Sequence, residues 1–291
     1  MSSTAAPRES LGSHADRHRR HRWTGDGGPG RFRFGLARET GVLDAAFRLV
    51  HDQYVWRGFM ASPHPSGRRI DLRHALPSTR VFVARDGVRV VGTATLFPDS
   101  PLGLPMDVVF ADHLDTFRRR ERRVAEVSAL AMDADRRAHG IPVLMRLLRL
   151  VLLHAAEVAR LDDLCLVVRS QHANFYQQFF SCRIIGAPRD YEKVRLEAAV
   201  ALHLDLHEVR ALIRAIHAGR ILASPVQGFL YGSEAHGAVM AQLHREVPAS
   251  ALTAADFAHF FQGQDVLTEA SPAQRAYVGS FHEGGLQISA A

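Results

Sequence analysis

The sequence predicts an α/β fold, a mixed sheet flanked by helices, with a small C-terminal helical extension. Three observations carry this. Val124–Asp133 is an apolar run that reads as a buried strand, and Leu164–Val168 is a second. Between them lie a basic turn, Ala134–Gly140, and a long apolar segment; after them come a polar turn and Asn174-Phe-Tyr-Gln-Gln-Phe-Phe180. The resulting order is strand, basic turn, helix, strand, short helix, strand. Beyond His207 only helical periodicity remains.

The elements follow in chain order. Residues 1–30 are rich in Ser, Gly, Arg and His and nearly devoid of apolar side chains, the composition of a disordered basic tail. Its cluster Arg17–Trp23 is suited to transient contact with an anionic membrane surface or nucleic acid, although a solvated tail is the commoner case. Residues 31–206 carry the alternating strands and helices of a single α/β domain. Arg31–Leu36 alternates as a first strand; Thr40 can cap the next segment, where Val42, Ala45, Ala46, Leu49 and Val50 recur at helical spacing through Gly58. That helix ends in the aromatic stretch Tyr54-Val-Trp-Arg-Gly-Phe59, either end packing or the wall of a substrate pocket. Residues 61–80 hold Pro63, Pro65, Gly67 and Pro77 and read as a long loop, a candidate lid. Asp86-Gly87 joins two β-rich runs as a hairpin. Asp107–Arg118 reads as helix, and Val194–Leu206 as the strand that closes the sheet. Segments near 207–218, 234–245, 253–262 and 271–281 make residues 207–291 a helical extension, with Thr253 and Ser271 as N-caps.

Charge excludes less than it suggests. The net charge is +6, yet 35 of the 36 basic residues are Arg, a ratio that GC-biased coding explains as well as binding does. No nucleic-acid recognition motif accompanies the excess, so nucleic acid is not the expected partner. Cys165 and Cys182 give neither a disulfide framework nor metal spacing. Arg146, Arg149 and Glu157 interrupt the most apolar segment, Ile141–Ala159, which makes it a core helix rather than a membrane span. No signal peptide is apparent, and a cytoplasmic location is expected.

Glu126 is the chemical anomaly, a carboxylate inside an otherwise apolar strand. Partial burial would raise its pKa toward that of a useful base; an outward-facing residue or an ion pair with Arg122 or Arg136 is the bland alternative. The run Arg118–Arg123 is most simply a solvated helix end, and it also precedes the Glu126 strand, where an acidic partner would approach.

Glu126-Val-Ser-Ala-Leu-Ala-Met-Asp133 resembles the Glu-x-Ser-Arg-x-x-Val-Asp signature of acyl-homoserine-lactone synthases, and more closely the Glu-Val-Ser-x-Leu-Ala-Val-Asp form of the N-acyl amino acid synthase (FeeM-like) family. His172-x-x-Phe175-Tyr176, Ile185-Gly186 and Tyr191-x-x-Val194 fit the same series, as do Tyr54-x-x-x-Gly58-Phe59 and Val91-Gly-Thr93. The resemblance spans residues 34–206 and implies a GNAT-like fold that transfers a fatty acyl chain from an acyl carrier protein thioester to the amine of an amino acid. Acyl-phosphopantetheine or acyl-CoA would be the donor substrate, with no tightly bound cofactor. Glu126 would be the base, with Tyr176 and His172 as candidates to protonate the leaving thiolate; packing and helix capping are their structural alternatives. Backbone N–H groups near Ala131 and Met132 would hold the thioester oxygen.

Arg137-Ala-His-Gly140-Ile-Pro142 resembles the fold's phosphate-binding turn, so Arg137 and Gly140 would hold the donor's phosphate. Pro142 replaces a residue with an N–H, which tilts the donor from the pyrophosphate of CoA toward the single phosphodiester of a carrier protein; Pro is also good chemistry at a helix's first turn. Ala129 stands where relatives carry Arg, leaving the acceptor carboxylate to another cation, Arg57, unless Arg57 merely serves the helix end. Tyr54, Trp56, Phe59 and Phe97 would form an acyl channel with the helix from Val143 to Leu153. The rival readings are an acyl-CoA-dependent acetyltransferase and a non-catalytic acyl-binding protein on the same scaffold.

Overall fold

Seven strands form one mixed sheet of order β1-β2-β3-β4-β5-β7-β6 in the computed structural model, which describes residues 31–60, 62–133, 140–192, 195–246, 252–261 and 265–282. The strands are β1 (Phe32–Leu36), β2 (Arg80–Asp86), β3 (Arg89–Pro98), β4 (Val124–Met132), β5 (Asp163–Arg169), β6 (Arg183–Tyr191) and β7 (Leu196–Asp205). Every pairing is antiparallel except β4 with β5. The basic tail expected at residues 1–30, and Arg136, Arg137 and His139 of the turn, lie outside the described residues. β7 does not close the sheet as the sequence suggested: it inserts between β5 and β6, leaving β6 at the edge.

Alternation along the strands sends side chains to two cores. On one face lie α1 (Thr40–Trp56) and α2 (Asp107–Arg118); on the other lie α3 (Gly140–Leu153) and α4 (Ser170–Phe180). Phe97, Val124 and Cys165 share the first face with Leu104, Met106, Phe110 and Leu114. Phe82, Leu96, Ala125 and Val127 share the second with Met145, Leu148 and Leu152 of α3. Because β4 is covered on both faces, its sequence reads as a continuous apolar run instead of an alternating one. α3 runs into a π turn at His154–Val158, and its Arg149, one of the charges that interrupt the apolar segment, is buried and donates through Nε to the Leu230 carbonyl at 3.1 Å.

This division removes the acyl channel expected from the sequence. The aromatic end of α1 and Phe97 belong to the α1 and α2 face, whereas Val143–Leu153 packs on the opposite one, and Trp56 is 61% exposed. The loop of residues 62–79 is no lid either. Its 3-10 turn, Leu72–Ala75, carries an Asp71/His74 capping box, and Leu72, Ala75 and Leu76 are buried beside α1.

The last six helices are α5 (Leu206–His217), α6 (Pro225–Tyr231), α7 (Ser233–Glu246), α8 (Ala254–Phe261), α9 (Asp265–Thr268) and α10 (Pro272–Gly279). α7 lies along β1, where Glu246 Oε2 accepts from Leu36 N at 2.9 Å and Gln242 donates to the Phe34 carbonyl at 2.5 Å. α8 packs Phe260 edge-on against Phe47 of α1 at 5.2 Å between ring centroids. Thr40, expected to cap α1, is its first residue and instead hydrogen-bonds Asp256 of α8. Thr253 and Ser271 cap α8 and α10 as expected. No helix among the described residues is long and apolar enough to cross a membrane.

Candidate active site

β4 and β5 pair only at their beginnings, Val124–Glu126 against Asp163–Cys165. Beyond that point β4 stays with β3 and β5 with β7, so the two strands part into a wedge whose facing edges have no strand partner. A β-bulge marks the divergence. Ser128 to Ala131 spans the same stretch as Thr93 to Thr95, and Ala129 sits in the left-handed region at φ +50°. For a residue with a Cβ that conformation costs roughly 1 kcal/mol, and it redirects the strand. Successive N–H groups of a strand point to opposite edges, so one of Ala131 and Met132 aims its N–H into the wedge. A Cβ at Gly92 would lie 2.8 Å from Met132 Sδ, which explains a glycine in the adjoining β3.

Glu126 stands where the wedge begins, on the α1 and α2 face. It is 2% exposed, and its Oε2 accepts from the Met106 backbone N–H at 2.7 Å. Burial pushes its carboxyl from 4.5 up to about 8, against the pull of the Met106 N–H and Arg73. Neither Arg122 nor any other described Arg pairs with it: Arg122 is held by Asp163 and Asp205.

Around Glu126 the structure joins Arg69, Arg73 and His74, which periodicity could not find, to Tyr54, Phe59 and Tyr191, which the sequence had marked. Arg73 is fully occupied by the Asp71 carboxylate and the Leu102 and Gly103 carbonyls. His74 is buried between Phe47 and Phe97, with its pKa lowered by burial to about 4, so it is neutral. Tyr191, 7% exposed, donates to the Pro105 carbonyl at 2.6 Å. Partly buried Tyr54 meets Phe59 edge-on at 5.4 Å and carries the Arg69 guanidinium 4.5 Å above its ring. Tyr191 and Glu126 bond to the consecutive residues Pro105 and Met106, and Phe59 packs against both Tyr54 and the Tyr191 cluster, so these rings border the same space. All these groups except Tyr191 come from the end of α1 or the Pro-rich loop, where no repeat separates a functional side chain from a solvated one. The nearest sequence signal was the alternation Arg69-x-Asp71-x-Arg73.

Tyr176 is elsewhere. It lies in α4 on the opposite face, where it lines a small apolar cavity of about 30 Å³ with Val127, Leu148, Leu152, Leu166 and Phe180. Burial raises its pKa above the ordinary tyrosine value, which keeps the phenol protonated. The wedge therefore has a carboxylate on one side and an apolar cavity on the other.

The open end of the wedge is cationic. Arg169, the last residue of β5, lies 4.8 Å over the Phe59 ring, and Arg57 lies over the exposed Trp56 at 5.7 Å. His172 begins α4 nearby; desolvation and the charges of Arg57 and Arg169 lower its pKa. Gly140 opens α3, with nothing within 4 Å of where a Cβ would stand. The Arg118–Arg123 run sits at the closed end, before the first residue of a nine-residue strand and so roughly 25–30 Å away. It is also largely spent within the fold. Arg118 holds Asp99, Asp107 and Asp115, and Arg123 donates to the Ala159 and Arg160 carbonyls. Arg119 and Arg120 stay exposed there, at the end of the sheet away from the wedge's opening.

Comparison with known proteins bears on this geometry directly. The solved structure of FeeM, an N-acyl amino acid synthase from uncultured soil microbes, is 27% identical with a TM-score of 0.53, covering 62% of this chain and 94% of that one. The acyl-homoserine-lactone synthase LasI is 15% identical with a TM-score of 0.47, covering 69% and 94%. An N-acetyltransferase from Staphylococcus aureus Mu50 is 18% identical with a TM-score of 0.44, covering 60% and 98%. A search of curated proteins gives no match. The fold is shared with FeeM, and the class is that of N-acyltransferases. The family model described as N-acyl amino acid synthase FeeM matches residues 45–205, more than half of the chain, which therefore belongs to that family.

Proposed function

We propose that this N-acyltransferase moves a fatty acyl chain from an acyl carrier protein thioester to the α-amine of an amino acid. The observation that carries the reading is the wedge itself, with buried Glu126 on one side and the Tyr176 cavity on the other. The thioester lies across the wedge, its oxygen held by a β4 N–H near Ala131 and Met132. Glu126 takes a proton from the acceptor's ammonium group, and the freed amine attacks the thioester carbon. The tetrahedral intermediate collapses with cleavage of the C–S bond. The remaining extra proton on the amide nitrogen passes through solvent to the thiolate, relayed by Tyr176 or His172, and Glu126 releases its own proton to solvent, which restores every group.

The acyl tail enters the apolar cavity. At about 30 Å³ it has room for a couple of water-sized groups, so a long chain must part the α3 and α4 side chains. The donor's phosphate belongs at the open end, near Gly140 and the sequence-adjacent Arg137. Arg57 and Arg169 supply the positive rim that an acidic carrier protein needs. Residues 31–206 carry this chemistry, and the helices described beyond residue 206 brace it.

Purified protein would be given acyl carrier protein and CoA thioesters of one chain length with a mixture of amino acids, and the products read by mass spectrometry. N-acyl amino acids formed faster from the carrier-bound donor are expected. Equal rates from both donors would remove the carrier preference, and no amide product from either would sink the reading.

A further inference from the structure

The Arg residues around the wedge differ in how far they are already committed. Arg68 is paired with Asp44, Arg73 with Asp71, Arg118 with three Asp, and Arg189 with Asp112. Arg69, one residue from Arg68, has no carboxylate partner among the described residues. Its backbone N–H donates to the Phe47 carbonyl at 3.1 Å, which fixes where the side chain starts. Its guanidinium then lies over the Tyr54 ring and also hydrogen-bonds that side chain, which holds the planar cation in place and leaves the rest of its five N–H donors for a ligand.

Arg69 and Glu126 act on the same space without pairing with each other. Arg69 sits on Tyr54, Phe59 packs against both Tyr54 and the Tyr191 cluster, and Tyr191 bonds Pro105 beside the Met106 N–H that holds Glu126. Asp71 and Arg73 lie close by but neutralise one another. What remains is one acid and one base, set apart across two phenol rings. An α-amino acid has the complementary pattern, an ammonium and a carboxylate on one carbon.

We propose that Arg69, braced on Tyr54, binds the carboxylate of the acceptor while the acceptor's amine faces Glu126, making Arg69 the residue that restricts acceptors to amines bearing an α-carboxylate. This deepens the acyl-transfer reading and rests on it. It also moves the carboxylate site from Arg57, which is exposed and belongs to the cationic rim at the wedge's open end.

The test uses the full chain with one acyl donor and three matched acceptors: an amino acid, its carboxamide and its decarboxylated amine. The wild type should prefer the amino acid by about 100-fold or more in kcat/KM, since truncating one partner of a partly buried charge pair has that scale of effect. Arg69→Gln should abolish the preference by raising KM for the amino acid while leaving kcat/KM for the other two within a few-fold. Arg69→Lys, which keeps the charge and loses the fork, should retain part of the preference and serves if the Gln variant fails to fold. An equal loss on all three acceptors in Arg69→Gln, or a full wild-type preference in it, would overturn the assignment. So would a wild type indifferent to the carboxylate, which would leave acyl transfer standing. A wild type that acylates none of the three would instead remove the underlying function.

Discussion

Replacing Glu126 by Gln separates catalysis from stability more sharply than any other change in this chain. The amide keeps the volume and can still accept the Met106 N–H at Oε1, but it cannot take a proton. Turnover should fall by about two to four orders of magnitude. In the wild type, with the carboxyl at about 8, only about a tenth is ionised at pH 7, so kcat/KM should rise roughly tenfold per pH unit and level off above pH 8.

Stability should move the other way. In the unfolded chain the carboxyl releases its proton near 4.5, whereas the folded chain holds it until about 8. Between those values folding takes up a proton. The contribution of Glu126 is therefore fully present below pH 4.5, declines as pH rises, and is gone above pH 8. The full interval corresponds to at most on the order of 5 kcal/mol. Even a third of that would give Glu126→Gln a Tm about 3–7 °C above wild type at pH 8.5, with little difference at pH 5. Calorimetry at the two pH values and initial rates across pH 5–9 would decide. Wild-type turnover in the variant, a rate profile breaking near pH 4–5, or the same Tm difference at both pH values would refute the argument.

Two further outcomes follow from the packing. Arg122→Ala strips the main cation from Asp163, a fully buried carboxylate left with His203, and should cost about 3 kcal/mol in thermal unfolding without selectively raising KM for a carrier-bound donor; a donor-specific KM effect at unchanged Tm would contradict this. Leu148→Phe fills part of the Tyr176 cavity and should shorten the preferred acyl chain by at least two carbons, read from a series of donors. An unchanged chain-length profile would place the tail elsewhere.

The strands and helices with strong periodicity were legible because burial imposes the period. The β2–β3 hairpin, α2 and the caps at Thr253 and Ser271 fall where the residues placed them. Glu126 was visible as a carboxylate where the pattern demanded an apolar residue. What escaped was everything fixed by which face a side chain takes. Tyr54 and Phe97 were joined to α3 across a sheet that separates them, an error that one-dimensional apolarity cannot expose. Thr40 looked like a cap because its hydroxyl suits either role, and only the arrival of Asp256 from a helix 216 residues later settles it. Arg118 and Arg122 looked free because their carboxylate partners are scattered from Asp99 to Asp205. Arg69, Asp71 and Arg73 sit in a loop whose conformation comes from tertiary packing, so no local rule marks them.

The seal that α7 places on β1 has a consequence for synthesis. Leu36 waits for Glu246, 210 residues further along the chain. At about 5–20 residues per second, a ribosome needs roughly 10–40 s to deliver it. Throughout that interval the outer edge of β1 offers its N–H and C=O groups to any neighbouring strand, including the same strand on the next nascent chain of a polysome. Conditions that slow elongation between residues 36 and 246 lengthen the exposure, so soluble yield should depend on translation speed even when the finished fold is stable.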